Sequence, residues 1–378
     1  MADIYVLNVA RDVIGLVDTC ESIIWTPRYF ETGDFELYVK ADEEVLSLLK
    51  VDNYVMKSDS DMIGIIESVH LTSDLENGDH IIATGRCAKS ILDRRIIWSQ
   101  TTITGTVEDG IRKILTENLI SPSIENRKIE NFVLGSSNGF SETISTQYTG
   151  DNVLDVVVNL CKQYGYGFKV ILNDEKNFEF VLYHGLNRSY EQTTNDFVLF
   201  SPEFENIVSS EYQHDKSKLK NACNVAGEGE GLNRKTYGVG SVSGLNRREM
   251  YVDARDLVSE VDENTTLTSD EYDKLLIQRG LENLAENPET FVFDGEVESI
   301  RQYVFGKDYF LGDIVTVKNS YGVTAHPRVI GVIQSHDDSG EKTIPTFSLM
   351  EINNDDGIYL LTENGEILMT EDGEKIEV

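Results

Sequence analysis

In the stretch Gly33-Asp34-Phe35-Glu36-Leu37-Tyr38-Val39, apolar and polar side chains alternate one for one. Successive side chains of a strand point to opposite faces, whereas a helix repeats its apolar positions every three to four residues. This alternation therefore specifies a half-buried strand. Short runs of the same kind, bounded by turn residues, recur along most of the chain. They include Ile4 to Val9, Tyr54 to Lys57, Phe291 to Val297, Asp313 to Val317, Arg328 to Ser335 and Thr343 to Leu349. Asn77-Gly78-Asp79 lies between apolar arms near residues 63–72 and 80–85, and Asn-Gly is the strongest short hairpin signal. A second hairpin is expected for Phe168–Leu172 and Phe178–Tyr183 around Asn173 to Asn177.

Helical periodicity is confined to a few places. Asp42 is expected to cap a short helix through Lys50. Thr106 is placed to cap one over about Val107 to Asn118, and Asp151 one reaching about Tyr164. The clearest covers about Ser269 to Glu286, with Thr268 or Ser269 as its cap and Pro288 just beyond it. The fold class expected is mainly β with an α+β insert, arranged as two β-barrel-like domains with short helices between. The expected domains are a first β-barrel-like domain over 1–98, completed by about 196–220, and an α+β insert over 99–195. A second β-barrel-like domain follows over 221–352, with one helix at about 269–286. Residues 353–378 are expected to form a C-terminal β-hairpin repeat or tail. Gly64-Ile65-Ile66-Glu67-Ser68 and Gly331-Val332-Ile333-Gln334-Ser335 open similar hairpins, and a duplication would place two related barrels in one chain. The terminal repeat is clearer: Leu360-Leu361-Thr362-Glu363-Asn364-Gly365-Glu366 is echoed by Leu368-Met369-Thr370-Glu371-Asp372-Gly373-Glu374.

Charge narrows the function. Lys and Arg number 33 against 66 Asp and Glu, a net charge of −33. A protein that grips nucleic acid needs a basic face to neutralise phosphates, so specific nucleic-acid binding is not expected. Aromatic residues at 9% argue against disorder as the reason for the charge. No apolar run reaches the ~18–20 residues that span a membrane, and the N-terminus lacks a basic, apolar leader. Synthesis in the cytosol is the expectation. Cys20, Cys87, Cys161 and Cys223 are far apart in sequence and form no zinc-like cluster, so they read as buried small hydrophobes. No metal and no cofactor are expected.

The candidate chemical motifs do not hold up. Gly227-Glu228-Gly229-Glu230-Gly231 resembles a phosphate loop only in its glycines. A helix should follow directly, and two glutamates would repel phosphate. The glycines read as a tight turn with at least one positive φ. Carboxylate pairs are worthless as a glycosidase signal among so many acids. Asp59-Ser60-Asp61 and Asp355-Asp356-Gly357 lack the spacing of a calcium loop. No catalytic residue is expected.

Several segments together resemble a family of siphophage tail proteins related to the tail-associated, baseplate-hub-like protein. In the first half these are Trp25-Thr26-Pro27-Arg28, Gly33-Asp34 and Ile91-Leu92-Asp93-Arg94-Arg95-Ile96-Ile97-Trp98. In the second half they are Gly227, Gly229 and Gly231, then Arg247-Arg248-Glu249, Asp253 with Arg255, and Gly312-Asp313. The resemblance covers about residues 1–350 and makes these residues structural positions. It implies a non-enzymatic virion protein at the tail tip, a homotrimeric hub that joins the sixfold distal tail ring to the tip. Such a hub closes or lines the DNA channel. The partners it implies are further copies of itself, the distal tail ring protein, the tape-measure protein and a tip fibre or receptor-binding protein. The alternatives are a tail-associated cell-wall-degrading enzyme and a receptor-binding adhesin.

Overall fold

The computed structural model describes residues 3–18, 20–74, 78–262, 265–297, 302–321, 324–337 and 340–348. The terminal repeat at 353–378 and Asn77 of the first hairpin turn lie outside them. The chain divides into two compact units. The larger comprises residues 1–162, 166–216 and 290–350, and the smaller is built on 217–289.

The larger unit is organised by one fifteen-stranded sheet. Its longest path runs Ile207–Asp215, Thr290–Val297, Gly340–Ser348, Arg328–Asp337, Cys20–Thr26, Asp34–Lys40, Gly78–Cys87, Ile63–Asp74, Tyr54–Lys57, Ile4–Leu7, Val13–Val17. The path has two ends, and no closed barrel forms among the described residues. The chain is mainly β, as the alternating runs require. Asp34–Lys40 shows why: Phe35, Leu37 and Val39 are buried while Glu36 and Lys40 are exposed. Trp25 on the neighbouring strand is fully buried, tilted against Phe35 at 5.6 Å, and its Nε1 donates to Ser60. A buried indole N–H needs such a partner.

Residues 290–348, expected within the segment 221–352, contribute to this large sheet, whereas residues 221–289 lie in the smaller unit. The two hairpins with similar sequences share the sheet but are wired differently. In the first, the returning strand Gly78–Cys87 pairs with Asp34–Lys40. In the second, the outgoing strand Arg328–Asp337 pairs with Cys20–Thr26. Both outgoing strands carry a register shift, at Ile66/Ser68 and at Val329/Gly331.

The insert pairs Thr101–Thr106 with Thr143–Tyr148 and adds a three-stranded sheet of Gly167–Leu172, Phe178–Tyr183 and Phe132–Leu134. Helix Val107–Leu115 is capped by Thr106, whose side chain accepts from Asp109 N, and passes into a π-turn at Thr116–Ile120. Asp42 caps Glu43–Leu48 through Val45 N at 2.7 Å. Helix Val153–Tyr164 differs from expectation at its start. Asn152 is the cap, accepting from Leu154 N and Asp155 N, while Asp151 turns back to Thr149 N. Asp and Asn cap equally well, so which neighbour does so is decided by the entering chain.

In the smaller unit, Ala222–Ala226 lies between Thr236–Val239, antiparallel, and Glu249–Asp253, parallel. Helix Ser269–Ala285 starts at a capping box of Thr268 and Glu271 and packs on one face of this sheet. A Cβ at Gly280 would lie 2.7 Å from Val239 and 2.9 Å from Val225, so the bare glycine sets how closely helix and sheet approach. All four cysteines are buried and free. No helix among the described residues is long and apolar enough to cross a membrane.

Candidate functional site

Arg28, Gly33, Asp34, Gly312 and Asp313 belong to one joint of the larger unit, centred on Tyr29, while Trp25 packs in the sheet core with Phe35. The strand containing Trp25 ends at Thr26, and the chain turns through Pro27–Gly33. Arg28 holds the turn, donating to Thr32 O at 3.0 Å and pairing with Asp34 at 2.8 Å. Gly33 is obligatory, because a Cβ there would lie 2.4 Å from Thr26 O. The turn is docked by Tyr29 N on Ile330 O and Val332 N on Pro27 O.

The Tyr29 ring is fully buried in space left by two glycines. Added Cβ atoms would lie 2.0 Å from it at Gly167 and 2.3 Å at Gly312, and Gly312 also has φ 90°. The hydroxyl donates to Tyr183 O, and burial pushes its pKa up to about 12. Beside it, the buried Asp313 carboxylate accepts from Leu186 N at 2.7 Å, Phe310 N at 3.0 Å and Arg188 Nε at 2.8 Å. One carboxylate thus ties the insert to the C-terminal strands.

Sequence reasoning missed the cation of this joint. Lys89 is buried in the 3-10 helix Ala88–Arg94, and its Nζ donates to the carbonyls of Arg28, Tyr29 and Glu31 at 2.7, 3.0 and 3.0 Å. It also lies 4.3 Å from the centre of the Phe168 ring. Burial lowers its pKa to about 8. A lysine inside the apolar run Cys87 to Leu92 was the available signal. Glu108 was also missed. Burial by itself would raise its carboxyl, but backbone N–H groups of Asn138, Gly139 and Phe140 more than offset this and hold it low.

Arg94 and Arg95 lie elsewhere, at a shallow cavity of about 580 Å³ bordered also by Ile96, Trp98, Ile124 and Arg127. Arg127 donates to Ile96 O at 2.6 Å and covers Trp98 at 5.0 Å, while Arg95 donates to Arg127 O. Burial first, and then the Arg95 charge, depress the Arg127 pKa. Among the described residues no carboxylate pairs with Arg94, Arg95 or Arg127, and Asp93 is engaged by Arg86.

The remaining motif residues are in the smaller unit. Gly229 and Gly231 have φ 94° and 58°, as the turn reading requires, whereas Gly227 serves close approach to Tyr272, whose hydroxyl accepts from Glu228 N. Arg247 pairs with Glu249 at 2.6 Å and donates to Gly240 O and Val242 O. Arg248 anchors through its backbone, its N–H donating to Asn221 Oδ1. Asp253 is flanked by Arg255 and Arg234, and these hydrogen bonds lower its pKa to about 2.

The motif residues thus form three separate groups, and what each arrangement accomplishes is joining chain segments. Among the described residues, no group of three or more His, Cys, Asp or Glu side chains is placed to hold a metal.

Solved structures share this fold. A tail protein from Neisseria meningitidis MC58 is 14% identical, with TM-score 0.56, over 93% of this chain and 97% of that one. The 43 kDa tail protein of prophage MuSo2 from Shewanella oneidensis is 13% identical, with TM-score 0.57, over 93% and 100%. A prophage tail protein from Listeria monocytogenes EGD-e is 14% identical, with TM-score 0.52, over 94% and 96%. No curated protein matches the sequence. The family model of the siphovirus ReqiPepy6 Gp37-like proteins matches residues 3–347, and the chain belongs to that family.

Proposed function

We propose that the chain is a structural subunit of a phage tail, at the baseplate or tail tip. In this reading three copies form a hub that joins the sixfold distal tail ring to the tip and lines the DNA channel. The observation that carries it is the family match over residues 3–347, on a fold that solved tail proteins share over more than nine-tenths of the chain. The joint around Tyr29 supports a structural role, because Tyr29, Lys89 and Asp313 spend polar groups on the protein's own backbone. A net charge of −33 suits a surface that DNA passes without adhering. The distal ring, the tape-measure protein and a tip fibre or receptor-binding protein are the neighbours this role requires.

The test is to image the particle with an antibody against this chain. Label at the distal end of the tail is expected, and density there should contain three copies. Label on the head, or none on the virion, sinks the tail reading, and a twofold assembly sinks the hub. Purified protein should release neither sugar nor peptide from cell walls. Turnover abolished by one Asp or Glu substitution would establish the enzyme alternative instead.

A further inference from the structure

In the segment Asp93-Arg94-Arg95-Ile96-Ile97-Trp98, the middle residue Ile97 is fully buried. Successive side chains of extended backbone point to opposite sides. Ile96 and Trp98 are therefore turned outward, and Trp98 is 55% exposed. Together with Arg94, Arg95, Ile124 and Arg127 they border the cavity of about 580 Å³ in the larger unit. Its wall is set from behind by the buried side chain of Asn118. That amide accepts from Trp98 N at 3.1 Å and from Arg127 Nη2 at 3.4 Å, and donates to Ile114 O at 2.9 Å. The tryptophan and the arginine that covers it are thus held by one residue of the insert.

The charge of this cavity is out of keeping with the rest of the chain. Acids outnumber bases two to one, and seven described arginines hold a carboxylate at 2.9 Å or less. Arg94, Arg95 and Arg127 do not. Arg95 donates to the carbonyls of Arg94 and Arg127, and Arg127 donates to that of Ile96. Carbonyls satisfy N–H groups but cancel no charge. The acid at the border, Asp93, gives one oxygen to Arg86 and the other to Asn152. Three like charges therefore stand together beside an exposed indole. They repel one another, and a bound anion would remove that cost.

We infer that this cavity docks an acidic peptide segment of another tail protein, with a carboxylate on the arginines and an apolar side chain on Trp98. Guanidinium forks take carboxylate and phosphate alike. The apolar wall of Ile96, Trp98 and Ile124 decides between them, because a phosphate ion brings nothing to bury there. The volume falls within the ~300–1,000 Å³ of ordinary ligand sites. The site stands on the chain's own geometry. Only the source of the peptide, a neighbouring tail protein, rests on the proposed function.

Trp98 reports on the site, because the chain's other tryptophan, Trp25, is fully buried. The probe is acetyl-Glu-Leu-Leu-Glu-amide, titrated into the full chain to ~5 mM while emission and acrylamide quenching are followed. Emission should shift to the blue and quenching should fall, both saturably. The glutamine analogue should bind at least ~5-fold more weakly, and the lysine analogue should not bind. The overall field of a chain of −33 attracts the lysine peptide, so a preference for glutamate can come only from the local arginines. Arg94→Glu should abolish the shift and leave circular dichroism and melting unchanged, since Arg94 is exposed. Arg255→Glu makes the same change of charge in the smaller unit and should leave binding as it was. The inference is overturned if wild type shows no saturable shift, if the lysine or glutamine peptide matches the glutamate one, or if Arg94→Glu still binds. It is also overturned if inorganic phosphate competes as strongly as the peptide, which would make the cavity an anion site only. Peptide binding by a chain absent from the tail would leave the site standing and sink the proposed role. A chain found at the tail tip that ignores the peptide would do the reverse.

Discussion

The joint around Tyr29 and the sheet of the smaller unit use the same residue types to opposite ends. Both contain glycines, arginines and an aspartate drawn from the recognisable motifs. Around Tyr29 the glycines yield space to a ring, and the charges, Lys89 and Asp313, are buried and consumed by backbone groups. In the smaller unit Gly229 and Gly231 supply positive φ at turns, and the charges pair at the surface. Burial decides what each motif is worth. A clash or an orphaned polar atom is costly inside, whereas a lost surface pair is largely replaced by water.

The sharpest test is Gly312→Val. The new Cβ would sit 2.3 Å from the Tyr29 ring, on a backbone with φ 90°. Overpacking and strain together should cost about 3 kcal/mol or more and unfold the larger unit early in a thermal melt. Gly306→Ala is the control, with φ 82° and nothing within 4 Å of an added Cβ. It should cost only about 1 kcal/mol. Equal losses would show that backbone strain, not the ring, dominates the joint.

Next in size is Lys89→Met, which leaves three carbonyls without their donor and should cost about 2–4 kcal/mol at pH 7. Its signature is in the pH dependence. Burial lowers Lys89 to about 8 in the fold, against ~10.4 in an unfolded chain. Between these values the unfolded chain holds a proton that the fold has released, so stability should rise with pH across that window. Below about 8 the cost of burying the charge is felt in full. Wild type should therefore gain on the methionine variant from pH 8 to 10 in denaturant titrations. Parallel curves would mean that Lys89 stays charged in the fold.

The sequence made the β character legible because period-two alternation survives wherever one sheet face is buried, as at Phe35, Leu37 and Val39. Caps at Asp42, Thr106 and Thr268 were legible because they are local. What stayed hidden depends on distant partners. The strand Arg328–Asp337 joins Cys20–Thr26 from some three hundred residues away, and no local pattern reports that register. The same holds for the space that Gly167 and Gly312 leave for Tyr29, and for Lys89. The turn role of Gly229 and Gly231 was readable, whereas the close approach at Gly227 was not, because Tyr272 comes from the helix.

Those three glycines give a graded test within the smaller unit, with valine at each position. Gly229 should lose most, about 2–3 kcal/mol, since φ is 94° and its Cβ would lie 2.7 Å from the rigid Asn233 carbonyl. Gly227 should follow at roughly 1–2 kcal/mol, because its Cβ would meet the Tyr272 hydroxyl at 2.3 Å but its φ adds no strain. Gly231, with open space around it, should show only the φ penalty of about 1 kcal/mol. Hydrogen exchange in the strand Ala222–Ala226 would read the order. A largest loss at Gly231 would show that its turn has a packed partner.

The smallest effect is expected at Asp253, the exposed counterpart of Asp313. Hydrogen bonds from Arg255 and then Arg234 lower its pKa to about 2, although it lies at the surface. An aspartate held low in the fold contributes stability above its unfolded value, ~3.9, and loses it as pH falls through the folded one. Asp253→Asn should therefore melt slightly below wild type at pH 7, and the two should converge between pH 4 and 2. Added salt should shrink the gap at pH 7, because Asp253 and Arg255 face water. A gap as large as that of Lys89→Met would mean that the Arg234 hydrogen bonds to Ala226 O and Gly227 O depend on Asp253. The surface pair would then be fixing the loop over 227–234, and burial would no longer separate the two regions.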